Sequence, residues 1–340
     1  MSEPARTYNQ AHAPRPYEKG RRRVSVYVSW SYPAEANRDL TQMDNRFSTM
    51  TEVRRVAWPA YEQPRFADPL QFQQGISGAL ELFFWAWLPF QKLVQEVTGS
   101  APPVFQRVDQ AGFALPLDER ALGDCDTLFL FGLDHNVTGQ SPSPGEIEAL
   151  RAFLKREGTC AVIGPHHDVG RTDDMGQRAV EHAHHGDGLV PRQQRFGQYA
   201  LALLQALDVP VENQYGLRPA TLPGSAPGAN KPVPLEIDRD LDTRGWLAGV
   251  DSFNFHMHMP HYALTRADGT AHALARQSID ASRPHPFLDT GATAFNALVW
   301  APPRGERAGD VLVVDSTVFS SLFGADASLE RFWKNIVTAS

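Results

Sequence analysis

The feature that most narrows the fold of this chain is a strand, a helix and a second strand in immediate succession between residues 126 and 164. DTLFLFGLDHN is an apolar run that breaks into a polar turn, SPSPGEIEALRAFLKREG has helical periodicity, and TCAVIG, from Thr159, is again continuously apolar. Strands without polar alternation are those covered on both faces, as in a parallel sheet. The helix between them is well punctuated. Ser143 suits its N-cap, Pro144 the first helical position and Glu146 the third, Ile147, Leu150, Phe153 and Leu154 form one stripe, and Gly158 closes it. A connection of this kind is right-handed in nearly all cases. The expected class is therefore α/β, with a doubly wound, mostly parallel sheet and helices on both faces.

The rest of the chain extends this pattern. VSVYVSW, from Val24, reads as a first strand, VLVVDST as a final buried strand and SLERFWKNIVTA as a closing helix, while SFNFHMHMPHY and FNALVWA read as further strands. Residues 1–22 are rich in Pro, Arg and polar side chains, which predicts a flexible arm or one that packs on a neighbouring subunit. Residues 23–340 are expected to form a single domain with a helical insertion around 68–99, running from Pro69 to Thr98 and bent at Pro89. A long loop from Gly164 to about Val190 precedes the helix RQQRFGQYALALLQALD. Loops of that length inside compact domains are often functional.

Composition excludes several function classes. A formal net charge of −7 argues against a nucleic-acid surface. The most apolar stretch, LELFFWAWLPF over 80–90, is too short to span a bilayer and reads as a buried or interface helix, which is compatible with a homo-oligomer and with no membrane partner. No apolar leader begins the chain, so a cytoplasmic location is expected. The only cysteines, Cys125 and Cys160, lie in or beside apolar strands and imply no disulfide framework.

Chemistry is expected where the histidines gather. Of 12 in the chain, nine fall in three groups: His135; His166 and His167 with His182, His184 and His185; and His256, His258 and His261. Ligands in an open parallel sheet bind beyond the carboxyl ends of the strands, and Asp134 with His135, His166 with His167 and Asp168, and Asp315 with Ser316 all follow strands. In FNFHMHMP the apolar Phe253, Phe255, Met257 and Met259 alternate with Asn254, His256 and His258, so a strand there would project both imidazoles from one face. Two such imidazoles are half of a metal site, with His166, His167, Asp168, His184 and His185 as candidates to complete it. The expected ligands are His167, His185, His256 and His258, and the expected catalytic groups Asp134, His135, His166 and Asp168. The EHAHHGDG segment is expected to fold over His166 and His167 as a lid.

The stretches DCDTLFLFGLDHN, SPSPGEIEALRAFLKREG and TCAVIGPHHD, with the ending FNALVWAPPRGERAGDVLVVDSTVF, resemble the class I glutamine amidotransferase-like superfamily and within it the ThuA-like (trehalose utilisation) proteins. The resemblance covers about half the chain and implies a flavodoxin-like order of strands. A working glutamine amidotransferase carries a nucleophilic cysteine on the turn after the strand. Here Gly164, Pro165 and His166 occupy that turn, and Cys160 lies earlier, inside the strand.

Two functions are then in view. The first is a hydrolase in which a divalent metal, zinc or iron, activates water against a small polar substrate, an amide or a sugar-related compound by the resemblance. The second is a non-catalytic protein that uses the same fold to bind a ligand or a partner.

Overall fold

The computed structural model describes residues 15–31, 86–108, 114–185, 194–224, 230–253, 258–321 and 326–339. In chain order the strands are β1 (Val24–Trp30), β2 (Val104–Gln106), β3 (Thr127–Leu133), β4 (Cys160–Pro165), β5 (Asp168–Val169), β6 (Gln194–Arg195), β7 (Val211–Leu217), β8 (Thr221–Leu222), β9 (Lys231–Pro232), β10 (Glu236–Ile237), β11 (Met259–Leu264), β12 (His272–Ser278), β13 (Ala294–Ala301) and β14 (Asp310–Val314). The helices are α1 (Leu88–Thr98), α2 (Glu119–Leu122), α3 (Pro144–Leu154), α4 (Met175–His185), α5 (Gln198–Ala206), α6 (Pro286–Asp289) and α7 (Ala327–Thr338). Among the described residues no helix is long and apolar enough to cross a membrane.

The main sheet has eight strands in the order β10-β12-β13-β14-β4-β3-β1-β2. From β2 to β14 all neighbours are parallel, and β13, β12 and β10 extend that side antiparallel. Read in order of appearance, the parallel part runs 2-1-3-4-5, the flavodoxin-like arrangement.

Pleating sends alternate residues to two separate cores. Val24, Val26, Val28, Phe129, Phe131, Val162, Leu312 and Val314 face α1 and α7, while Tyr27, Leu128, Leu130, Ala161, Ile163, Val311 and Val313 face α2, α3 and α5. This double cover is why the strands read as unbroken apolar runs. On the first face Phe90 of α1 lies 5.0 Å from Phe129, 5.1 Å from Phe319 and 5.7 Å from Trp333 by ring centroids.

Helix α3 begins as its residues require. Ser143 and Glu146 form a reciprocal capping box with Pro144 at the first turn. The Glu146 carboxylate is also buried, where it accepts from the Leu117 amide at 3.1 Å and the Tyr199 hydroxyl at 2.8 Å, tying α3 to α5.

Some expectations are corrected, and others lie partly outside the described residues. The segment after β4 is not a structureless loop: β5 and the 11-residue helix α4 lie within it, and α4 buries Glu181, His182, His184 and His185 instead of an apolar stripe. A helix whose inward face is imidazole carries no hydrophobic period to read. The histidines of EHAHHGDG are buried in that helix, and 186–188 lie outside the described residues. The strand expected over FNFHMHMP starts only at Met259, with Phe253 and His258 in irregular backbone, and His256 lies outside the described residues together with 254, 255 and 257. Pro89 occupies the first turn of α1, where its missing N–H costs nothing; Ala86 is helical and Trp87 a turn just before it, and the 69–85 part of that expectation lies outside the described residues. Of the expected N-terminal arm, residues 1–14 lie outside the described residues, and Arg15 is buried with its guanidinium on Asp124 at 2.8 Å.

Candidate functional site

At the carboxyl ends of β4 and β14 the backbone comes unusually close. A Cβ on Gly164 would stand 2.6 Å from the Val314 carbonyl oxygen and 2.7 Å from the Ser316 amide nitrogen, so only glycine allows the two strand ends to meet. Two residues beyond Gly164 stands His166, and one beyond Val314 stands Asp315. Their side chains meet with His166 Nδ1 3.0 Å from Asp315 Oδ1, both buried. Asp315 is itself fixed, since it accepts from the Thr317 hydroxyl and caps the short 3-10 turn Ser316–Phe319.

The same segment and two other elements bring histidines to the same place. His167 follows His166 directly, with ring centroids 4.0 Å apart. The last turn of α4 supplies His185, whose Nε2 is 3.1 Å from His167 Nε2. Pairing of Met259 with Leu217 at the start of β11 delivers His258, whose ring stacks on His185 at 3.7 Å and lies 4.7 Å from His167. All four are at most 5% exposed. Gly216 on β7 leaves the room: a Cβ there would be 2.7 Å from His185 Cδ2 and 3.3 Å from His167 Cγ.

One nitrogen from each of His166, His167 and His258 lies within 4.8 Å of the other two. Tetrahedral zinc, with Zn–N of about 2.0–2.1 Å, sets ligand nitrogens about 3.4 Å apart, so side-chain rotations of an ångström or so would close the group on an ion. His185 and His258 are stacked with their planes 17° apart, so their in-plane lone pairs run nearly parallel and do not converge on one point as they stand. His185 instead meets His167 through Nε2, as Asp315 meets His166 through Nδ1. Partners of this sort on the second ring nitrogen are the usual supports of ligating histidines. The donor set fits a late first-row ion, since it is all imidazole.

The remaining candidates divide. Asp168 is adjacent and buried; burial pushes its carboxyl up to about 6 against the pull of Arg195 and Arg171, and Arg195 Nε is 3.4 Å away. Its Oδ1 has no hydrogen-bond partner among the described residues. Asp134 is fully enclosed, accepts from the Ser29 hydroxyl at 2.7 Å and the Tyr199 amide at 3.0 Å, and so ties β1 and β3 to the start of α5. Burial raises its pKa in spite of those bonds. His135 sits on the same edge but across Phe196, whose ring is 5.4 Å from His135 and 5.5 Å from both His166 and His167. His184 points elsewhere on α4: its Nε2 accepts the Arg218 amide at 2.9 Å, and its ring lies 4.8 Å from His285. Burial holds His184 down to about 4, and burial with the nearby His184 holds His285 down to about 3. His261 is separated from His258 by the strand and accepts the Asn296 amide at 3.2 Å.

Sequence reasoning missed the supports. Asn213 of β7 donates to the His166 and Phe196 carbonyl oxygens, and Gly216 makes the space, yet VENQYGL carries no pattern that marks either residue. Cys160 is buried 4% exposed in β4, and burial pushes its thiol up to about 12, far from a nucleophile.

No family model matches the chain, and no curated protein does. A solved structure from Bacteroides uniformis, provisionally described as a ThuA-like protein, is similar over 95% of this chain and 93% of that one, at 10% sequence identity and a TM-score of 0.38.

Proposed function

We propose that the chain is a metal-dependent hydrolase for a small polar substrate, built on a ThuA-like branch of the amidotransferase-like fold that lacks the cysteine nucleophile. The observation that carries this reading is the set of three imidazole nitrogens, from His166, His167 and His258, within 4.8 Å of one another. Three histidine ligands with a fourth position open are a recurrent catalytic zinc arrangement. When bound, such an ion supplies Lewis acidity, polarising a substrate oxygen and acidifying water.

The protein's own groups have distinct tasks in this reading. Asp315 fixes the His166 ring through Nδ1, which would leave Nε2 for an ion, and His185 meets His167 through Nε2, which would leave Nδ1 for one. Asp168, with one carboxylate oxygen toward no described partner, is the group placed to carry a proton. Asp134 and His135 hold the strand ends in register and take no chemical step. His185, in first view a ligand, becomes a support because of its stacking on His258.

The enclosure of the cluster favours a second reading, in which an ion there would only clamp the segment after β4 to the start of β11. The two separate in one assay. The zinc-loaded chain is tested against a panel of p-nitrophenyl esters and anilides before and after dipicolinate, with melting temperature measured in parallel. Turnover lost on chelation and regained with zinc supports the hydrolase; loss of melting temperature alone, with no turnover at any stage, refutes it and leaves the clamp.

A further inference from the structure

One buried carboxylate on α4 is unused by the histidine centre. Glu181 is 2% exposed and accepts the Gly170 amide at 2.8 Å and the Gln177 side chain at 2.9 Å. Among the described residues no cationic side chain stands within ion-pair distance of it. It forms one wall of a cavity of about 250 Å³ that is otherwise lined by Arg171, Thr172, Gln177, Gln214 and Tyr215. No aliphatic side chain contributes to that lining. Arg171, the one cation, faces Glu212 at 3.7 Å, so its charge is answered from outside the cavity and the Glu181 charge is not.

Two observations connect the cavity to the histidines. Glu181 and His185 are four residues apart on the buried face of α4, one turn or about 6 Å along its axis. On the opposite wall Gln214 and Tyr215 immediately precede Gly216, the residue that lies against His185 and His167. Tyr215 is also a backbone outlier, with φ of +57° in the left-handed region that a bulky side chain rarely adopts. Such outliers concentrate at ligand sites. The phenol and the carboxylate share the same space: Tyr215 is raised above its ordinary value by burial and then by Glu181.

We propose that this cavity is the substrate pocket of the histidine centre and that it selects a small ligand carrying a cationic nitrogen group, an ammonium, amidinium or guanidinium, received by Glu181. The identification rests on the metal-dependent reading above. Glu181 offers the acceptor lone pairs that such a group requires, and Tyr215 offers an aromatic face beside it. An anionic ligand would meet the uncompensated carboxylate.

Calorimetric titration of the full chain, zinc-loaded, with butylguanidinium, butylammonium, butylurea and butanol tests the idea, with metal content measured on every sample. At least one of the two cations is expected to bind tenfold or more tightly than butylurea, and Glu181→Gln is expected to erase that preference while zinc content stays at the wild-type level. Because Glu181 also holds Gly170, Tyr215→Phe serves as a second variant and should weaken cation binding several-fold. Wild-type protein that binds butylurea as tightly as both cations overturns the proposal, as does cation binding indifferent to Glu181→Gln. A chain that binds the cation through Glu181 yet retains no zinc would remove the hydrolase and leave the pocket. Zinc retained with no preference for the cations would do the reverse.

Discussion

Gly216→Ala gives the most informative single substitution, because its consequences differ for the fold and for the histidine centre. The added methyl would stand 2.7 Å from His185 Cδ2, 2.9 Å from Val169 Cγ2 and 3.3 Å from His167 Cγ. Ordinary carbon contacts are about 3.5–4.0 Å, so His185 and Val169 must each retreat by roughly an ångström. Overpacking of this kind costs about 1–3 kcal/mol, a fraction of the stability of a chain with two continuous cores. Metal geometry is less forgiving, with ligand distances fixed to about 0.2 Å. The variant is therefore expected to remain folded, with a melting temperature lowered by a few degrees, and to lose most of its zinc. Circular dichroism melting and metal analysis of the same preparation check both parts. Gly145→Ala in the first turn of α3 is the control: the nearest atom the added methyl would meet is the Ser143 hydroxyl oxygen at 3.9 Å, so it should be neutral or slightly stabilising with metal unchanged. Full zinc content in a stable Gly216→Ala protein would refute the claim that β7 shapes the centre.

Asp315→Asn keeps the shape of the support and removes its charge; zinc affinity should fall about 10- to 100-fold, measured by chelator competition, with little change in melting temperature. Cys160→Ala should cost on the order of 1 kcal/mol in denaturant unfolding and leave metal content and turnover within a few-fold, because the thiol is a packing group. Acid should destabilise the fold through His184, His261 and His285, which burial holds down to about 4, 4 and 3. Below the ordinary histidine value near 6.5 the unfolded chain takes up protons that the folded chain refuses. Stability is thus complete above pH 6.5 and is lost progressively as pH falls toward 4, by a few kcal/mol in all. Denaturant titrations at stepped pH that show no slope across that window would contradict the burial of these imidazoles.

The parts of the fold that were legible in the sequence are those where apolar side chains do the packing. β3, α3, β4 and β14 were readable because both faces of the strands are covered and α3 carries a complete capping box. The main exception, α4, is instructive: its inward face is Glu181, His182, His184 and His185, so the signal that usually marks a helix is replaced by the polar groups of the centre itself. The grouping of histidines near strand ends was sufficient to draw His166, His167, His185 and His258 together in expectation. It could not assign them tasks. Whether a given imidazole would face an ion or support another ring depends on Asp315, on the Met259–Leu217 register and on the gap at Gly216, all of them contacts between residues far apart in the chain.

The central claim is that His166, His167 and His258 hold one ion. Its most direct test is the zinc-to-protein ratio, by plasma mass spectrometry after exhaustive dialysis, for the wild-type chain, His167→Ala, His258→Ala and the double variant. A shared site predicts about one equivalent in the wild type, a sharp loss in either single variant, and little further loss in the double variant because the site is already gone. A wild-type chain without retained zinc, or single variants that keep it with small and additive effects, would contradict the account.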